Sequence, residues 1–139
     1  MNGNKTFVIG DIHGRLGMLE NLMAKIPWRP DKDALVFLGD YIDRGPDSRG
    51  VVDYILSLTR NYSRISCVLG NHEGMLLDYL AGVDKKLYLA NGGGPTLKAY
   101  KRGKGLLSTL FLHEMPNDHI AFYNSLKPYV EIEDYYLIH

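Results

Sequence analysis

The chain has 139 residues, room for one domain with its own hydrophobic core and too little for two ordinary ones. With 45% hydrophobic and 23% charged residues the composition is globular and excludes a disordered chain. Sixteen basic and sixteen acidic residues give a formal net charge of +0, which argues against nonspecific nucleic-acid or membrane binding as the main task.

The opening residues Met1–Lys5 carry no apolar signal segment behind a basic start, and no apolar stretch approaches the ~20 residues of a membrane span. One cysteine, Cys67, permits no intrachain disulfide, and its apolar surroundings (Ile65 to Leu69) read as a packed core thiol. A reducing cytoplasm is the expected compartment.

In chain order, Lys5–Ile9 is a short apolar run ending at Gly10, the form of a buried strand entering a tight turn. Leu16, Leu19, Leu22, Met23 and Ile26 recur at helical spacing over Arg15–Lys25, before Pro27 and Pro30 break the chain. Ala34–Leu38 is a second strand ending at Gly39. Ser48 is expected to cap a helix running to about Arg60, and Arg64–Leu69 is a third strand ending at Gly70. Such alternation predicts an α/β fold of consecutive parallel βαβ units. All three glycine turns then fall at the carboxyl edge of one sheet, where open α/β sheets bind ligands.

The second half is less regular. Met75–Leu80, Lys85–Ala90, Thr96–Lys101, Leu106–Met115 and Asp118–Lys127 read as helices, with a flexible turn at Asn91–Pro95. The alternation from Tyr129 to His139 suggests a hairpin or two short strands, with Tyr129, Tyr135 and Tyr136 packed in core or sheet. His113 and His119 are expected to be exposed or capping. Lys98–Lys104 reads as a solvated helix end and not as a nucleic-acid contact.

The three strand-end turns read G-D-I-H-G (Gly10–Gly14), G-D-Y-I-D-R-G (Gly39–Gly45) and G-N-H-E (Gly70–Glu73). Each joins a backbone-permissive glycine to side chains that bind metals or phosphate. One Asp-x-His is a weak signal, since a solvated turn explains it as well. Three such turns, each directly after a buried strand and ~30 residues apart, form a strong one because βαβ topology converges them on one point.

In these motifs the chain resembles the calcineurin-like metallophosphoesterases of the phosphoprotein phosphatase type. Within them it looks most like compact bacterial and phage serine/threonine phosphatases and symmetrical diadenosine tetraphosphate hydrolases. The likeness covers the three turns in order and spacing and continues weakly through Asn91-Gly92-Gly93 to Tyr136-Leu137-Ile138-His139. The resemblance implies a β-sandwich flanked by helices and a metal-dependent hydrolysis of phosphate monoesters. Its substrate would be a phosphorylated protein or a nucleotide.

Carried over residue by residue, Asp11 and His13 would bind the first of two divalent metal ions. Asp40 would bridge both, and Asn71 with His139 would bind the second. Mixed oxygen and nitrogen donors suit manganese, with iron or zinc as alternatives. The resemblance also implies a metal-bridging hydroxide attacking in line, with His72 as general acid, Asp43 orienting it and Arg44 clamping the phosphate. Glu73 falls at a structural position that anchors the loop.

The chain departs from the family by stopping at His139. A second phosphate-binding arginine, a G-H-T-like segment with another metal-binding histidine, and strands of a second sheet would follow there. The expectation is a single domain over residues 1–139, incomplete at its C-terminus, with apolar surface that favours self-association. A complete, reduced protein with a weakened second metal site is the alternative. So is a non-catalytic module that binds metal or phosphate.

Overall fold

The computed structural model describes residues 3–101 and 114–139. Strands β1 (Thr6–Ile9), β2 (Ala34–Phe37) and β3 (Ile65–Cys67) form one parallel sheet in the order β1-β2-β3, connected by α1 (Leu16–Lys25) and α2 (Ser48–Asn61). The register pairs Val8 with Val36 and Phe37 with Cys67. The βαβ expectation is therefore met, with each strand slightly shorter than its apolar run.

Central strand β2 shows why that run is continuous. Leu35 and Phe37 enter the main core beneath α1 and α2, while Val36 points to the opposite face among Val68 and Val130. A strand covered on both sides has no polar face to alternate. Helix α2 buries Val51, Val52 and Ile55. Its cap differs from expectation: Asp47 accepts the Gly50 N–H at 2.8 Å, and Ser48 is already the first helical residue. The Ser48 hydroxyl is used elsewhere, on Asp43.

After β3 come α3 (Asn71–Ala81), α4 (Lys85–Ala90), α5 (Gly94–Tyr100) and α6 (Asn117–Ser125). Antiparallel strands β4 (Val130–Ile132) and β5 (Tyr135–Leu137) then lay Val130, Ile132 and Leu137 over the second face of the sheet. Tyr129, Tyr135 and Tyr136 depart from expectation. They are exposed: Tyr129 and Tyr136 pack against each other on the outward face with Glu131, while Tyr135 pairs with Ile132 at the turn end of the hairpin and stays open to solvent.

His119 is a second correction. It is fully buried, with Nδ1 2.7 Å from the Tyr100 hydroxyl and Nε2 2.8 Å from Asp53 Oδ1, so it ties α6 to α5 and α2. Burial with both ring nitrogens engaged makes it a packing residue. Burial also pushes the Cys67 thiol up to about 12, in keeping with a packed and unreactive sulfur. His113 and most of the Leu106–Met115 segment lie outside the described residues.

Asp33, buried at the head of β2, ties the sheet to the chain before it. It accepts the backbone N–H groups of Lys5 and Arg29 at 2.9 Å each, and the Arg29 guanidinium through Nε at 2.9 Å and Nη2 at 2.7 Å. The Arg29 contact holds its carboxyl well below the usual carboxylate range. A depressed folded value means that this contribution to stability is present above the unfolded pKa of about 4 and is lost as pH falls through the lower folded value. The thermal midpoint of the wild type should therefore fall more steeply between about pH 5 and pH 2 than that of Asp33→Asn, which should be the less stable of the two at neutral pH. Parallel melting curves across that range would refute this.

Candidate active site

The three turns after β1, β2 and β3 are bound into one unit. Asp40 offers its carbonyl oxygen to the N–H groups of both Ile12 and His13 at 2.9 Å, and Tyr41 does the same for Gly14 at 2.8 Å. Turn two meets turn three through glycines. Gly39 has φ +102°, and a Cβ built there would strike the Gly70 backbone; one at Gly70 would strike the Asp40 amide. No larger residue fits either place.

Glu73 completes the junction. Its Oε2 accepts the N–H of Asp40 at 2.9 Å and of Gly70 at 3.1 Å, and its Oε1 accepts those of Tyr41 at 2.9 Å and Ile42 at 3.4 Å. Its structural role in the loop follows from these bonds. Burial pushes its carboxyl up to about 7, against the pull of the amide donors. Glu73→Gln would aim a donor NH2 at two amide donors and leave them unpaired. It should lower stability by about 2–3 kcal/mol, read as a lower urea midpoint at unchanged slope. An unchanged midpoint would show that the amides find other acceptors.

Helix α3 starts at Asn71, four residues before the apolar pattern that predicts it, because Gly70 and Glu73 cap it. That early start brings Asn71 and His72 into the site.

Asp11, His13, Asp40, Asn71 and His139 all meet there. His13 Nε2 lies 3.8 Å from Asp11 Oδ2 and 3.7 Å from Asp40 Oδ2, and His139 Nε2 lies 3.4 Å from Asp40 Oδ2 and 2.9 Å from Asn71 Oδ1. Ligand atoms of Asp11, Asp40 and His139 all fall within 4.8 Å of one another, as do those of His13, Asp40 and His72. The tautomers are set from behind. His13 Nδ1 donates to the Ile42 carbonyl at 2.8 Å, and His139 Nδ1 to the Leu38 carbonyl at 2.9 Å.

Each Nε2 is left as a lone pair aimed at carboxylate or amide oxygens. Electron-rich atoms so close repel unless a proton or a cation sits among them. Two carboxylates, two imidazoles and one amide oxygen, with both rings fixed by backbone carbonyls, fit divalent transition metals.

His72 borders that set and has other partners of its own. It is buried, its Nδ1 donates to Asp43 Oδ2 at 2.7 Å, and its Nε2 faces Arg44 Nη2 at 3.1 Å. Arg44 Nη1 lies 3.3 Å from His13 Nε2, so the guanidinium spans both imidazoles at the mouth of the site. His13, Asp40, Asp43 and Arg44 all have left-handed backbone, with φ of 47°, 52°, 72° and 65°. Side chains other than glycine, asparagine and aspartate seldom accept that conformation, and its clustering here marks the turns as shaped for function.

The residues around Asp43 were not foreseen. Its Oδ1 accepts the Thr96 hydroxyl at 2.6 Å and the Tyr88 hydroxyl at 2.7 Å, and its N–H lies 3.0 Å from Ser48 Oγ and 2.9 Å from Thr96 Oγ1. The glycine run between α4 and α5 was their one trace in the sequence. Expected to be flexible, it is packed instead: a Cβ at Gly92 would meet Arg44 Cγ at 2.9 Å, and one at Gly93 would meet the Tyr88 ring.

Comparison with known proteins bears on the fold that carries these residues. The family model described as Calcineurin-like phosphoesterase matches residues 5–136. Serine/threonine-protein phosphatase 1 of Salmonella typhimurium is 45% identical over 92 residues, covering 66% of this chain and 40% of that protein. The symmetrical bis(5'-nucleosyl)-tetraphosphatase of Pectobacterium carotovorum subsp. carotovorum is 40% identical over 80 residues, covering 58% of this chain and 27% of that protein. A solved structure described provisionally as a diadenosine tetraphosphatase superposes with a TM-score of 0.62 at 28% identity, covering 94% of this chain and 50% of its own. The chain thus spans half or less of the length of each.

Proposed function

The chain belongs to the calcineurin-like phosphoesterase family, and from that premise we propose that it hydrolyses phosphate monoesters, on phosphoprotein or nucleotide polyphosphate, with metal ions as cofactors. The observation that carries the reading is the fixed pair of imidazoles. His13 and His139 each give Nδ1–H to a backbone carbonyl and turn Nε2 toward Asp40. In this reading Asp11, His13 and Asp40 hold one ion, and Asp40, Asn71 and His139 hold a second, manganese first and iron or zinc as alternatives. Such ions supply Lewis acidity toward a phosphoryl oxygen and lower the pKa of bound water.

The remaining work falls to side chains. His72 Nε2 gives a proton to the departing oxygen, and Asp43 fixes its tautomer and stabilises the imidazolium before release. Arg44, already at the mouth, meets two phosphoryl oxygens through its Nη atoms and offsets their charge. The names of the relatives support both substrate classes: a phosphoprotein presents a phosphorus–oxygen bond whose alkoxide leaving group needs a proton, and a dinucleoside tetraphosphate presents an anhydride bond whose phosphate leaving group needs one far less. A cytoplasmic place of work suits a protein whose one cysteine is packed; among the described residues no helix is long and apolar enough to cross a membrane.

The test is hydrolysis of an aryl phosphate by the chain stripped of metal and then titrated with Mn²⁺. Turnover should rise from background with added metal. Bound metal without turnover would overturn the enzymatic reading in favour of a binding module, with one ion per chain instead of two.

A further inference from the structure

We propose that Tyr88 and Thr96 are positioning residues for the acid–base step, acting on His72 through Asp43. This rests on the reading of His72 as general acid. Asp43 is fully buried and has two carboxylate oxygens with separate duties. Oδ2 takes the His72 Nδ1–H at 2.7 Å; Oδ1 takes the two hydroxyls, at 2.6 Å from Thr96 and 2.7 Å from Tyr88. A carboxylate held on one oxygen only can rotate about its Cβ–Cγ bond. Held on both, it presents Oδ2 in one orientation, and the imidazole follows.

The backbone is fixed by the same group. Thr96 Oγ1 accepts the Asp43 N–H at 2.9 Å, at a residue whose φ is 72°. Thr96 therefore holds Asp43 at both ends, whereas Tyr88 touches only the carboxylate.

The two hydroxyls arrive from helices of the irregular half. Tyr88 lies in α4 and Thr96 in α5, either side of the turn at Gly92 and Gly93. Gly93 leaves no room for a Cβ beside the Tyr88 ring, so the turn seats the ring as well as linking the helices. The Tyr88 hydroxyl bonds Asp43 and that of Thr96 bonds Asp43 and Ser48, neither of them among the metal-type donors, which makes the effect on His72 separable from metal binding.

Tyr88→Phe is the primary variant, since it removes one oxygen and keeps the packed ring. In the metal-loaded chain it should lower kcat for phenyl phosphate, a poor leaving group, by about 10-fold with KM unchanged. The activated 4-nitrophenyl ester, whose departing oxygen needs little protonation, should lose about 2-fold at most. In a His72→Asn background the same change should have no further effect, because its route is gone. Thr96→Val should behave likewise and Thr96→Ser should restore the rate.

Equal slowing of both esters, or an undiminished loss in the His72→Asn background, would overturn the proposal. A second readout needs neither metal nor turnover. The downfield Nδ1–H proton resonance, assigned by its absence in His72→Asn, should broaden and exchange faster with water in Tyr88→Phe. If the wild-type chain cleaves neither ester, the enzymatic reading fails and this resonance decides the positioning claim alone; an unchanged signal and exchange rate would sink it.

Discussion

Asp40→Asn should abolish metal uptake and turnover together. Asp40 is almost fully buried, and its Oδ2 lies close to both fixed imidazoles, 3.7 Å from His13 Nε2 and 3.4 Å from His139 Nε2. Its other oxygen accepts the His72 N–H at 3.1 Å. Asparagine is the better first substitution. It keeps the volume and tolerates the left-handed backbone found here, whereas alanine would add strain to the loss of charge. The fold should survive, because the turn is also held by Glu73 and by the contacts of the Asp40 carbonyl. Equilibrium dialysis against Mn²⁺ and hydrolysis of 4-nitrophenyl phosphate read the two losses side by side. Turnover at more than about 1% of wild type would remove Asp40 from the bridging role, since a missing shared ligand should cost far more than the ~10–100-fold of an outer partner.

His72→Asn should separate what Asp40→Asn loses together. Both ring nitrogens are engaged, by Asp43 on one side and Arg44 on the other. Metal content should therefore stay near that of wild type. The rate on phenyl phosphate should fall by ~10²–10⁴, the usual worth of a positioned proton donor, and the rate on the 4-nitrophenyl ester much less. A variant that loses metal as well would make His72 a ligand, as its place beside His13 and Asp40 also permits. An equal loss on both esters would move the proton donor to another group.

What the sequence disclosed follows a physical line. A buried strand that ends in glycine delivers the next side chains to the sheet edge, so Asp11, His13, Asp40, Asn71 and His72 could be placed from local order alone. Their partners could not. Asp43 is joined to Tyr88 across 45 positions and to Thr96 across 53, and hydroxyls in amphipathic helices carry no mark of which carboxylate they will meet. His119 was misjudged for the same reason, its partner Asp53 being 66 residues away. The start of helix α3 is invisible to periodicity, which reads apolar residues, because its first turn, Asn71-His72-Glu73-Gly74, has none. The tyrosines of β5 failed differently. β-propensity favours tyrosine in a strand without saying which face it takes.

Left-handed backbone at His13, Asp40, Asp43 and Arg44 sets this protein's durability against its chemistry. Glycine adopts such angles freely, so Arg44→Gly or His13→Gly would relieve of order 1 kcal/mol each while deleting the groups that the site depends on. Selection for heat resistance alone, applied to a library of this chain with no demand for turnover, should enrich glycine at His13 and Arg44. The map of where such a library gains stability would then trace the outline of the candidate site, found through the strain it places on the fold.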